Sequence, residues 1–144
     1  MAMSRSALKC LTLSQKNIKN FDWIIANEPA LKIGKRFYEQ NLNRNAPGDP
    51  NSKYFEARRA AEIINLSKQY QYTIDIHGCS NETGIFIIIT NITEENLMLA
   101  SLFNIKKIVF LTSPHCPEQT GALSAYFPCG LEIECGRYRY LLGA

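Results

Sequence analysis

The residues of this chain best suited to chemistry come in pairs two positions apart. His77 closes a short apolar run, "YTIDI", and stands two residues after Asp75. In a strand, side chains two apart lie on the same face, so Asp75 and His77 project together. A carboxylate beside an imidazole fits two situations, the group behind a metal-bound histidine and an ordinary ion pair. Position alone also allows a histidine satisfied by nearby backbone. Glu132 and Glu134 repeat the spacing near the other end of the sequence, alternating with Leu131, Ile133 and Cys135. They read either as the polar face of a half-exposed strand or as a carboxylate at a strand end, poised as a base. Arg36 and Arg44 flank a polar stretch. They are either solvated or a pair of guanidinium forks for anionic groups, a task to which arginine is well suited.

The remaining candidates carry less. His77, Cys79, His115, Cys116, Cys129 and Cys135 show no C-x-x-C or H-x-x-x-H spacing, which argues against a structural zinc built from them. Cys79 has no identifiable base. "TSPHCPEQTG" reads as a loop, with His115 a surface histidine. "RYRY" (137–140) reads as an alternating strand with a solvated cationic face; a nucleic-acid strip would need a wider basic patch.

These residues need elements to position them. "DWIIA" reads as a buried strand entering a loop at "NEP", and "NLNRNAPGDPNS" as a loop dense in turn-forming residues. "SKYFEARRAAEIINLSKQ" places Tyr54, Ala57, Ala61 and Ile64 at helical steps, with Ser52 as a cap and Glu56 in the favoured early turns. "YTIDI" and "GIFIIIT" are short and β-branched, so both read as strands, the second buried on both faces. "TEENLMLASLF" is a helix capped by Thr93, with Leu97, Ala100, Leu102 and Phe103 on its apolar side. "KKIVFL", "CGLEIECG" and "RYRYLL" read as further strands. Strands alternating with helices imply an α/β fold, a three-layer α/β/α arrangement on a mixed, mostly parallel sheet. Ligands in such sheets gather beyond the carboxyl ends of the strands, where His77 stands.

Composition narrows the class. With 144 residues, 46% of them hydrophobic and 20% charged, the chain suits one globular domain, 1–144, rather than a disordered segment. The net charge of +3 is dispersed, which gives no push toward nucleic acid or an acidic membrane surface. No window approaches the roughly 18 apolar residues of a membrane helix. Residues 1–20 lack a signal-peptide core, and five cysteines are an odd number, so reduced thiols in a cytoplasmic protein are expected.

Taken in order, these pieces resemble the succinylglutamate desuccinylase and aspartoacylase family of the zinc carboxypeptidase superfamily. "WIIANEPAL" is similar to its strand and "NP-A" turn. "KRFYEQNLNR" resembles its Arg-Tyr…Asp-Leu-Asn-Arg block, and "SKYFEARRAAEI" its Glu/Arg/Ala-rich helix. "IDIHGCSNETG" resembles its Asp-Leu-His segment, and "GLEIECG" its Glu-x-Gly segment. The resemblance covers about Asp22 to Arg137; residues 1–21 match poorly. It implies a Zn2+-dependent amidohydrolase that cleaves the amide bond of N-acyl amino acids. It further implies His77 as a zinc ligand with Asp75 behind it, Glu134 as general base and Arg36 at the oxyanion. Asn43 and Arg44 would grip a substrate carboxylate.

The family's zinc is held by two histidines and one glutamate, two of them in a His-x-x-Glu motif ahead of "DWIIANEPAL". His77 is the first histidine here, and the loop reads "NLNR" where the family usually has Asp first. The sequence is therefore expected to be a relative truncated at the N-terminus, and at the C-terminus beyond Glu134. Self-association through an uncovered sheet edge would follow. The alternative is a non-catalytic relative that binds small carboxylates.

Overall fold

The computed structural model describes residues 16, 18–79, 84–111 and 121–137. In chain order these form α1 (Glu28–Lys32), a 3-10 turn (Leu42–Arg44), α2 (Phe55–Ser67), β1 (Thr73–Cys79) and β2 (Phe86–Ile89). Then come α3 (Glu94–Ser101), β3 (Ile108–Phe110), a second 3-10 turn (Leu123–Tyr126) and β4 (Gly130–Arg137). The strands make one sheet in the order β1-β4-β2-β3. β1 runs parallel to β4 and β2 parallel to β3, while β2 and β4 are antiparallel. This is the expected mixed, mostly parallel sheet. Among the described residues, its last strand in sequence is inserted between the first two.

Alternation along the strands separates two environments. Ile87 and Ile89 of β2 and Leu131 and Ile133 of β4 face α3 and pack with Leu99 and Ala100. Each such side chain removed from water contributes roughly 1.5–3 kcal/mol. Thr93 caps α3, its hydroxyl accepting the Asn96 N–H. Asn96 is buried instead of Leu97 because its amide accepts the Gly130 N–H and donates to the Asn91 carbonyl, so α3 turns a polar residue toward β4.

Behind the opposite face lie the two 3-10 turns and α2, which share a core of Leu42, Ala46, Ala60, Ile63, Ile64, Leu123 and Phe127. The apolar stripe of α2 runs through Ala57, Ala60, Ile63 and Ile64, not through Tyr54 and Ala61 as the spacing suggested. Gly48 has a φ of +83°, and a Cβ there would collide with the backbone of Ala57 and Ala61, so loop backbone rather than a side-chain layer covers this part of the helix.

"DWIIA" is not a strand. It finds no ladder partner among the described residues; Arg59 donates instead to the carbonyls of Ile25 and Ala26 at 3.0 Å each. Ser52 is not the cap residue of α2, which is Tyr54, although its hydroxyl accepts the Tyr54 N–H. β2 is buried on one face and half-buried on the other. β3 is an exposed edge. Residues 138–142 of "RYRYLL", His115 and Cys116 lie outside the described residues. Among the described residues no helix is long and apolar enough to cross a membrane.

Candidate active site

The site lies on the face away from α3. β1 and β4 are paired in register, Asp75 opposite Glu132 and His77 opposite Glu134. Two local alternations, Asp-x-His and Glu-x-Glu, thus become one patch of four titratable side chains.

His77 Nε2 lies 2.7 Å from Asp75 Oδ2 and 3.9 Å from Glu132 Oε2. The 2.7 Å approach is an ion-pair contact with poor hydrogen-bond alignment. Asp75 Oδ2, His77 Nε2 and Glu134 Oε2 are all buried without a hydrogen-bond partner. Burial by itself would push the His77 pKa down. The charge and proximity of Asp75, followed by Glu132 and Glu134, outweigh that and raise it to about 9. Burial pushes the Glu134 pKa up; His77 opposes this, Glu132 and Asp75 add to it, and the Arg36 guanidinium draws it down. Glu134 stays above the ordinary glutamate value, in the direction that suits a base working near neutral pH.

Glu132 is the most deeply buried of the four, at 3% exposure. Its Oε1 accepts the Ser124 hydroxyl at 2.6 Å, and Ser124 is in turn 3.1 Å from Thr90 Oγ1. The Asn43 amide nitrogen lies 3.5 Å from both of its oxygens. Asn43 Oδ1 accepts the Leu123 N–H at 2.8 Å, which ties the two 3-10 turns together over the strands. Gly121, at φ +62°, lies against the Arg44 backbone so closely that a Cβ would stand 2.7 Å from Arg44 Cα. Arg44 itself is exposed and donates to the Asn43 carbonyl.

Arg36 belongs to the segment after α1, and a buried carboxylate holds the residues that follow it. Glu56 accepts the backbone N–H groups of Tyr38, Glu39 and Gln40 and the Asn27 amide, at 2.7–3.2 Å. Burial by itself would raise the Glu56 pKa; the bonds from Asn27, Gln40, Tyr38 and Glu39 prevail and lower it.

The structure therefore joins Asp75, His77, Glu134 and Asn43, with Arg36 near enough to act on Glu134. It leaves Arg44 at the rim. Sequence reading weighed Glu132 only as a partner of Glu134 and gave Glu56 no more than a helix-start role. Ser124 and Thr90 carry no signal in the sequence; only the fold brings them to Glu132.

A family model described as the succinylglutamate desuccinylase/aspartoacylase catalytic domain matches residues 5–142. The chain belongs to this family. It is 31% identical over 134 residues to a probable aspartoacylase of Prochlorococcus marinus strain NATL2A, an alignment covering 86% of this chain and 44% of that one. A probable aspartoacylase of strain MIT 9215 is 28% identical over 144 residues, covering 90% and 48%. Among solved structures, murine aminoacylase 3 matches with a TM-score of 0.65 at 17% identity, covering 94% of this chain and 52% of that chain. The succinylglutamate desuccinylase of Chromobacterium violaceum matches at 0.63 and 19%, covering 83% and 42%. These likenesses establish the family's fold for this member. The chain spans about half the length of the curated relatives it matches.

Proposed function

We propose that this chain carries the acid-base half of a hydrolase that cleaves the amide bond of N-acyl amino acids. The supporting observation is the in-register pairing of His77 with Glu134 on one half-buried face, in a chain of the desuccinylase/aspartoacylase family.

The donor chemistry fits the zinc that the resemblance implies. An imidazole nitrogen and carboxylate oxygens converge, and several of them are buried without a hydrogen-bond partner. His77 would hold the ion, with Asp75 beside it. When bound, zinc supplies a Lewis acid and makes water a competent nucleophile near neutral pH. The protein's own groups do the rest. Glu134 accepts the proton of the attacking water and delivers it to the leaving amine. Arg36 meets the negative charge that develops on the amide oxygen, a contribution of roughly 3–4 kcal/mol for a well-placed donor. Arg44 and Asn43 orient the substrate carboxylate.

Purified protein supplied with zinc should release free amino acid from a panel that includes N-acetylaspartate and N-succinylglutamate. Glu134→Gln should abolish release. Arg44→Ala should raise KM more than it lowers kcat, and Arg36→Ala should lower kcat by about 10²–10³. Carboxylate binding with no turnover on any substrate of the panel would overturn the hydrolase reading.

A further inference from the structure

The backbone that carries Arg36 hangs between two anchors, and both lead to one buried carboxylate. Upstream, α1 ends in a tight turn. Gly34, at φ +63°, donates its N–H to the Leu31 carbonyl at 3.1 Å, and Lys35 donates to the Ala30 carbonyl at 2.9 Å. Asn27 caps the start of α1, its Oδ1 accepting the Ala30 N–H, while its amide donates to Glu56 Oε1 at 3.0 Å. Downstream, the N–H groups of Tyr38, Glu39 and Gln40 converge on the same Glu56 carboxylate at 2.7–3.2 Å. Only Arg36 and Phe37 lie between the two anchors.

We propose that Glu56 is a positioning residue for the reaction: by fixing the backbone on both sides of Arg36, it sets where that guanidinium stands relative to Glu134. The assignment rests on the hydrolase reading for the use made of Arg36. Three features support it. First, Glu56 is fully buried, at 0% exposure, and a buried charge is tolerated only when donors surround it. Three successive backbone N–H groups and one side-chain amide do so here. Successive N–H groups turned to one anion form a cradle whose backbone conformation the anion fixes.

Second, the clamp is reciprocal. Glu39 Oε2 accepts the N–H of Phe55, the first residue of α2, and the Tyr38 ring meets that of Phe55 edge-on with centroids 6.1 Å apart. The backbone at 38–40 is therefore tied to the helix from both sides. Third, Arg36 is exposed, and none of the ion pairs among the described residues includes it, so its placement falls to the backbone. Its charge nevertheless reaches Glu134, whose pKa it draws down.

The chemistry of the four partners explains why this residue is a glutamate. All four are donors, and the two carboxylate oxygens accept from every one of them. A glutamine of the same shape would turn its NH2 toward either the Tyr38 side or the Gln40 side, setting donor against donor. The reaction is sensitive to such a change, since a displacement of about 1 Å in a positioned group costs on the order of 10²-fold in rate.

The test compares the full wild-type chain with Glu56→Gln, Arg36→Ala and the double variant, by 15N relaxation and by kinetics on the N-acyl amino acid panel with zinc supplied. Glu56→Gln should lower the backbone order parameters of Arg36 and Phe37 from about 0.85 to below about 0.6 and leave those of β1 and β4 unchanged. Its kcat should fall about 10–100-fold at nearly constant KM. In the Arg36→Ala background the same change should cost less than about 2-fold, because the group it positions is already gone. A residue that served stability alone would lower the rate equally in both backgrounds. Circular dichroism checks folding; should Glu56→Gln not fold, Asn27→Ser, which keeps a cap on α1 and deletes the donor to Glu56, carries the same comparison. Unchanged order parameters at Arg36 and Phe37 in a folded variant overturn the proposal, as do a wild-type kcat or equal losses in the two backgrounds. No turnover by the wild-type chain, together with the fall in order at Arg36 and Phe37, would refute the hydrolase reading and leave the positioning role standing. Turnover at the wild-type rate in Glu56→Gln, with that order retained, would do the reverse.

Discussion

The two faces of β4 make opposite use of the same strand. On one, Leu131 and Ile133 join Ile87, Ile89 and Leu99 in a tightly packed apolar cluster. On the other, Glu132 and Glu134 crowd against Asp75 and His77, with several polar atoms left unpartnered. One face gains free energy from burial; the other is kept charged against the cost of burial. The difference teaches that Leu131 and Ile133 give β4 its apolar packing against α3, while its other face gathers carboxylates and an imidazole at a cost in burial energy.

Substitutions on each side sharpen this contrast. The largest effect is expected from Leu131→Ala, which opens a cavity at a fully buried position and should cost about 2–5 kcal/mol in urea unfolding. A loss under about 1 kcal/mol would mean that the face against α3 is not the stabilising one. Next comes Glu56→Ala, which strips four donors of a buried carboxylate and should cost roughly 3 kcal/mol. Glu56 also gives a pH signature. Its folded pKa is lowered, so its contribution is complete above the unfolded value of about 4.3 and disappears as pH falls through the lower folded value. Glu56→Gln should flatten that acid limb of the stability curve; an unchanged limb would assign the acid sensitivity elsewhere.

Thr93→Ala, which removes the cap of α3, should cost about 1 kcal/mol by thermal or urea denaturation. The smallest effect has the opposite sign. Replacing Glu134 by Gln removes a carboxylate that the fold disfavours ionised, and should raise the urea midpoint of metal-free protein slightly. A clear drop in that midpoint would show that Glu134 supports the structure, and would erase the distinction between the faces.

Much of this architecture was legible in the sequence. The β-branched runs, the Thr93 cap and the Ala/Ile repeat of α2 are local signals, because helix and strand periods are set by neighbouring residues. The pairing of Asp75 with His77 and of Glu132 with Glu134 on common faces follows from the same rule. The strand expected at "DWIIA" failed because a strand needs a partner, and among the described residues Arg59 takes its carbonyls instead. Leu97, expected on the apolar side of α3, is exposed, and Asn96 is buried where it accepts the N–H of Gly130, far along the chain.

By itself, the sequence determined what each segment could become and which of its side chains share a face. Only the tertiary structure decided that β1 and β4, more than fifty residues apart, lie side by side with His77 opposite Glu134 and Asp75 opposite Glu132. That choice depends on long-range backbone hydrogen bonds and on burial of the apolar reverse face against α3, terms that no local spacing encodes. The same long-range packing brought Ser124 to Glu132 and Glu56 to the segment after Arg36, contacts that no spacing in the sequence encodes.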